Sequence, residues 1–202
     1  HLQGMLIELS TRYGLGFHLV ETPGKKFPKD KGKDFAPRIA LYQDARAIWK
    51  PCDVVVLSRL FIRRNERMTI YETVPRWLDA VSVLAKDLKA EGLNLMLVGP
   101  PPMFDFEDIR ACNPSYPLIC AKNRAALLKP VAQIHALIDA VVEENDNVAL
   151  FETFTHLCPD NEPTCSPADE GFFLFRDRDH LNAQGAARLA PEFYRALSIF
   201  ER

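Results

Sequence analysis

The sequence predicts an α/β fold: a parallel sheet with helices on both faces. Three observations lead there. Short apolar runs alternate with longer amphipathic stretches, the pattern of strand–helix–strand crossovers. The runs Asp53–Leu57, Leu93–Val98 and Val148–Phe151 are almost continuously apolar, as in strands buried on both faces. Each run is fenced by breakers, most clearly by Gly99 and three prolines after Val98.

The elements are justified in chain order. Leu2–Tyr13 places Leu2, Met5, Leu6 and Leu9 on one helical face, and Gly14 and Gly16 end it. Phe17–Val20 reads as a short strand, before a loop rich in Gly, Lys and Pro. Ile39–Trp49 reads as a helix stopped by Pro51. Val74–Ala90 sets Trp77, Val81, Leu84 and Leu88 on one face, with Gly92 as a C-terminal stop. Lys122–Glu144 is a further long helix, Phe172–Phe175 a last extended piece, and Asn182–Phe200 a final helix bent or restarted at Pro191.

Composition sets bounds. The chain has 202 residues, 48% of them hydrophobic and 26% charged, the balance of one ordinary globular domain. Its formal charge of −2 argues against nucleic acid as a partner. The basic cluster 24–33 reads as a solvated loop. No apolar run in the sequence approaches the length of a membrane span. Two cysteine pairs, Cys112 with Cys120 and Cys158 with Cys165, each bracket a short Pro-containing loop. They suggest two local disulfides and an oxidising compartment. Zinc is the rival reading, but no C-x-x-C occurs and His156 alone does not complete a tetrahedral set, so no metal is expected. Five reduced thiols are the remaining alternative. Cys52 is left over and is expected to be a buried thiol.

The chemistry is concentrated at Asp177 and His180, three apart and just before the last helix. One chain turn lets the carboxylate accept a hydrogen bond from one imidazole nitrogen while the other nitrogen faces a pocket. That is the orienter-and-base part of a catalytic triad. Asn182 stands where a helix N-cap is needed.

The stretch Arg176–Leu189 (RDRDHLNAQGAARL) resembles the final motif block of SGNH (GDSL-like) hydrolases. It is especially similar to SGNH domains fused to acyltransferase-three membrane proteins, which O-acetylate bacterial surface polysaccharides. Asp53–Arg59 resembles that family's central strand, with Leu60 where a Trp is usual. Leu97–Pro102 resembles the next strand and its proline-rich exit, and Cys158–Cys165 matches a Cys-bracketed loop. The resemblance implies a three-layer, flavodoxin-like SGNH fold and a Ser-His-Asp mechanism with His180 as base and Asp177 as orienter. It further implies no cofactor, an acyl donor, a glycan acceptor, and an associated membrane acyltransferase domain. The setting would be periplasmic or otherwise extracytoplasmic. A carbohydrate acetylesterase is the alternative with water as acceptor. A non-catalytic glycan- or partner-binding module is another, and a flavodoxin-like binding domain shares only the layer pattern.

The departure is at the front. The family carries its serine in a Gly-Asp-Ser-His segment, which this chain lacks; His1-Leu2 resembles the His-Leu that follows it in GDSHxxHL, a few residues after the nucleophile. The expectation is therefore one domain over residues 1–202 whose first strand and nucleophile precede residue 1. Ser58, after the central strand, is the least poor internal substitute. Ser10 lies in a helix, Ser166 in a loop, and no G-x-S-x-G elbow exists. Arg59 is the candidate contact for an oxyanion or anionic sugar, and His1 a candidate pocket residue.

Overall fold

A three-stranded parallel sheet forms the centre of the structure, a computed structural model that describes residues 2–20, 26–28, 36–65, 68–112 and 120–201. His1 and most of the basic cluster 24–33 lie outside the described residues. In chain order the elements are α1 (Gln3–Tyr13), α2 (Ala36–Arg46), β1 (Val54–Ser58), α3 (Val74–Ala90), β2 (Asn94–Val98), β3 (Lys122–Asn123) and α4 (Arg124–Glu144). They continue with β4 (Val148–Phe151), α5 (Thr153–Leu157), β5 (Thr164–Cys165), β6 (Ala168–Asp169), β7 (Phe172–Phe173), α6 (Ala183–Arg188) and α7 (Ala190–Leu197).

The sheet order is β1-β2-β4, with Val54 opposite Asn94 and Leu95 opposite Val148. Both crossovers step the same way across the sheet, so right-handed connections put α3 and α4 on one face, where they touch. α1, α6 and α7 pack on one another, and Phe193 of α7 meets Phe151 of β4 edge-on at 4.9 Å between ring centres. Because all three strands are parallel, their carboxyl ends, at Ser58, Val98 and Phe151, share one edge of the sheet. Ligand chemistry in such folds gathers there.

Sequence periodicity explains the packing. Trp77, Val81, Leu84 and Leu88 of α3 are all buried, each contributing roughly 1.5–3 kcal/mol by leaving water. Trp77 Nε1 also donates to the Phe27 carbonyl at 3.0 Å, fixing the strap 26–28 against α3. α4 is long and apolar enough by length and composition to cross a membrane. Its Leu127, Val131, Ile134 and Ile138 are nevertheless buried in the core. Asn147, buried before β4, donates to Ala85 and Leu93 carbonyls and ties α3 to the sheet.

Several expectations need correction. Phe17–Val20 forms no strand; it is exposed, with no strand partner among the described residues. β1 is half-buried rather than buried on both faces, because only β2 flanks it among the described residues. Cys52 is a free, exposed thiol: it sits in the turn before β1 at φ 75°, outside the apolar run. α2 starts earlier than Ile39 and ends at Arg46. Lys122 and Asn123 pair antiparallel with β5, so α4 begins only at Arg124, capped by the Asn123 side chain. The terminal helix restarts near Pro191 as expected: two helices meet at Leu189, with Pro191 in the first turn of α7.

Candidate active site

The segment Arg176–His180 is a loop closed at its base. Phe175 and Leu181 form an antiparallel bridge, and Arg176 N donates to the His180 carbonyl at 2.8 Å. Immediately after it, Asn182 caps α6: its Oδ1 accepts from Gly185 N at 2.8 Å while its Nδ2 donates to the Phe173 carbonyl at 2.7 Å. Gly185 is required here, since a Cβ would lie 2.0 Å from the Leu174 carbonyl oxygen. On the other side the loop leaving β2 docks onto it, with Phe104 N on the Arg178 carbonyl (2.8 Å) and Ile109 N on the Arg176 carbonyl (3.1 Å). The loop is thus tied to α6 and to the exit of β2.

Within that frame Asp177 and His180 meet. His180 Nδ1 lies 2.6 Å from Asp177 Oδ1 and 2.7 Å from Oδ2. Oδ1 also accepts from the backbone N–H of His180 at 3.0 Å and of Asp179 at 3.3 Å. These bonds hold the carboxylate in a local turn. Burial alone would raise the Asp177 carboxyl. The imidazole N–H, the two backbone donors and the charge of His180 outweigh it, and hold the group below the usual carboxylate range. An ionised carboxylate at Nδ1 requires the proton on Nδ1 and leaves Nε2 with its lone pair. This is the chemistry of an oriented general base.

Two further residues complete the cluster. Arg64, on the loop leaving β1, forks onto Asp179, with Nε 2.9 Å from Oδ1 and Nη2 3.0 Å from Oδ2. Its Nη2 also lies 3.2 Å from His180 Nε2. The Asp179 side chain is only 5% exposed, and a carboxylate so buried needs such a partner. Asp179 stands 3.9 Å from His180 Nδ1, so Asp177 is the closer acceptor there. Neither Arg64 nor Asp179 was singled out by sequence reasoning. They are 115 residues apart, and no local spacing signals their pairing.

Ser58 and Arg59, the other expected site residues among those described, have surroundings of their own. Ser58 is exposed at the end of β1. The Arg59 guanidinium lies over the ring of Trp77 at 4.8 Å and that of Phe61 at 5.6 Å. His1 lies outside the described residues. His156 stacks on Phe151, and His135, in the middle of α4, lies near Glu152. On the loop that leaves β2, Asp105 pairs with Lys122, Glu107 with Arg178 and Asp108 with Arg110, so these carboxylates are ion-paired.

The ligand atoms of Asp177, Asp179 and His180 lie within 4.8 Å of one another, close enough to surround a cation. The cation position is already served by a guanidinium: both Asp179 oxygens are engaged by Arg64, and Nδ1 of His180 faces Asp177 with its proton. Cys112 is joined to Cys120, and Cys158 to Cys165, by disulfides. Cys158 and Cys165 are buried, and the second bridge closes the loop between α5 and β5.

Comparison with known proteins adds one finding. A family model described as "SGNH domain (fused to AT3 domains)" matches residues 1–195. No curated protein matches the chain.

Proposed function

The chain belongs to the SGNH domain family whose members are fused to AT3 domains, and from that premise we propose that it transfers O-acyl groups, acetyl above all, to a glycan hydroxyl. Membership supports chemistry of the acyltransferase or esterase type. The observation that supports the finer reading is the Asp177–His180 pair, with Nδ1 within 2.7 Å of both carboxylate oxygens.

That pair implies a mechanism. A serine hydroxyl, contributed by a segment ahead of residue 1, attacks the acyl carbonyl. Its proton passes to His180 Nε2, the O–C bond forms and the carbonyl electron pair moves onto oxygen. Asp177 stabilises the imidazolium from the far side. The tetrahedral centre collapses, and the donor's leaving oxygen takes the proton from Nε2. The second half repeats this with the glycan hydroxyl as nucleophile; with water instead, the same residues give an esterase.

Two features support a strand and nucleophile upstream. β1 presents four successive apolar residues, Val54–Leu57, half-exposed at an edge unpaired among the described residues, and such an edge calls for cover. That edge also shares the end of the sheet where His180 sits. The two disulfides fit an extracytoplasmic setting. The family's fusion to AT3 domains supports a membrane acyltransferase domain as partner. Turnover of p-nitrophenyl acetate by the full protein, compared with His180→Ala, tests the reading. We expect His180→Ala to abolish turnover; equal rates would overturn the assignment.

A further inference from the structure

We infer that Arg64, clamped by Asp179, is a catalytic residue that donates hydrogen bonds to the oxyanion formed at the acyl carbon. The inference rests on the proposed function, because it requires His180 to act as base. It also moves the oxyanion role from Arg59, the candidate in the sequence, to Arg64.

Position comes first. Arg64 lies on the loop that leaves the carboxyl end of β1. An Ile62–Ile70 bridge and the Arg63 N to Thr69 carbonyl bond at 2.8 Å fold that loop back on itself. The Arg64 carbonyl accepts from Arg178 Nη1 at 3.4 Å, so backbone and side chain are both tied to the Asp177–His180 loop. The Asp179 fork consumes Nε–H and one Nη2–H. Outside the fork lie the two Nη1–H bonds and the Nη2–H that faces His180 Nε2. The side chain is 45% exposed, so those donors are accessible to a ligand, whereas the clamping carboxylate is not.

Geometry then selects the acceptor. A hydroxyl that gives its proton to Nε2 sits about 3 Å from it. The acyl carbon bonds to that same oxygen, so its oxyanion develops next to this point. Arg64 Nη2 is itself 3.2 Å from Nε2. At rest its N–H points to the Nε2 lone pair. When Nε2 takes the serine proton, that acceptor vanishes. The same step places a full negative charge on the carbonyl oxygen beside it. The donor therefore gains its partner only as the transition state forms, which accelerates the chemical step rather than merely tightening binding. Arg59 is less suited, since its guanidinium is spread over Trp77 and Phe61.

Steady-state hydrolysis of p-nitrophenyl acetate by the full protein tests this. Arg64→Ala is expected to lower kcat about 100-fold while KM changes less than about threefold, the usual size of one oxyanion donor. Millimolar methylguanidinium should restore part of the Arg64→Ala rate. Arg64→Lys keeps the charge but loses the fork, and should stay at least about tenfold down. Asp179→Asn should fall between, and a thermal midpoint that is lowered by the unpaired Asp179 but stays well above the assay temperature excludes a loss of fold in both Arg64 variants. A kcat for Arg64→Ala equal to or above wild type, with His180→Ala inactive, would overturn the inference: Arg64 would then be a spectator or an obstruction to the base. If wild type and His180→Ala turn over alike, the proposed function fails instead.

Discussion

Asp177→Asn isolates the orienting role from the charge of the site. The Oδ1 position receives two backbone N–H bonds, at 3.0 and 3.3 Å, so the amide oxygen of Asn must stay there. The NH2 group then falls at the Oδ2 position, 2.7 Å from His180 Nδ1. A donor there forces Nδ1 to become an acceptor and moves the ring proton to Nε2. Nε2–H then faces Arg64 Nη2 at 3.2 Å, donor against donor. The imidazolium loses a charge-assisted hydrogen bond, roughly 3 kcal/mol, and its Nδ1–H set head-on against the amide NH2 adds about 2 kcal/mol. A barrier rise of about 5 kcal/mol is a loss of several thousand-fold in kcat. KM should barely change, because Asp177 touches His180 and not the substrate. The assay is p-nitrophenyl acetate hydrolysis by the full protein, with 15N NMR of the histidine ring reading the tautomer directly. An Asp177→Asn rate within tenfold of wild type, beside an inactive His180→Ala, would refute the reasoning.

Other expectations are structural. Replacing Cys158 and Cys165 by Ser should cost roughly 2.5 kcal/mol in urea unfolding, the loop-closure entropy for a bridge spanning 7 residues. Gly185→Ala should cost about 3 kcal/mol and lower activity as well, because its Cβ would strike the Leu174 carbonyl at 2.0 Å and push α6 off the His180 loop; calorimetry and turnover check both. Burial holds the His135 and His156 imidazoles below their usual titration range. The unfolded chain therefore binds more protons as pH falls below about 6.5, so the thermal midpoint should drop between pH 7 and pH 5. His135→Gln should flatten that drop.

What was legible in the sequence was what local pattern encodes. α3 is apolar every third or fourth residue, and β2 and β4 are apolar throughout, so period and length suffice. Asp177 and His180 were visible because three residues can close one turn. Burial of β1 was not legible: Val54–Leu57 has the composition of a central strand, but exposure depends on which neighbours flank it. Cys52 was misplaced for a related reason. It abuts an apolar run, yet the turn that precedes the strand rotates it outward. Phe17–Val20 has strand composition without a strand beside it among the described residues. Arg64 could not be found at all, since the contact that gives it a role joins two loops 115 residues apart.

The two acids of the Asp177–His180 stretch show how environment divides identical side chains. Asp177 bends back to accept two backbone N–H groups of its own loop, and this turn aims its carboxylate at Nδ1. Asp179 emerges from that turn pointing elsewhere, into a buried position that only a guanidinium makes tolerable. The base is consequently held from two strand ends. The exit of β2 grips the loop through Phe104 and Ile109, and the exit of β1 grips it through Arg64. A nucleophile on the proposed reading must approach Nε2 from ground these loops leave open. A parallel strand added at the edge of β1 that is unpaired among the described residues would end level with Ser58, beside the loop that carries Arg64. On the proposed reading, the same placement that covers β1 would therefore deliver a serine to the face of His180 where Arg64 already waits.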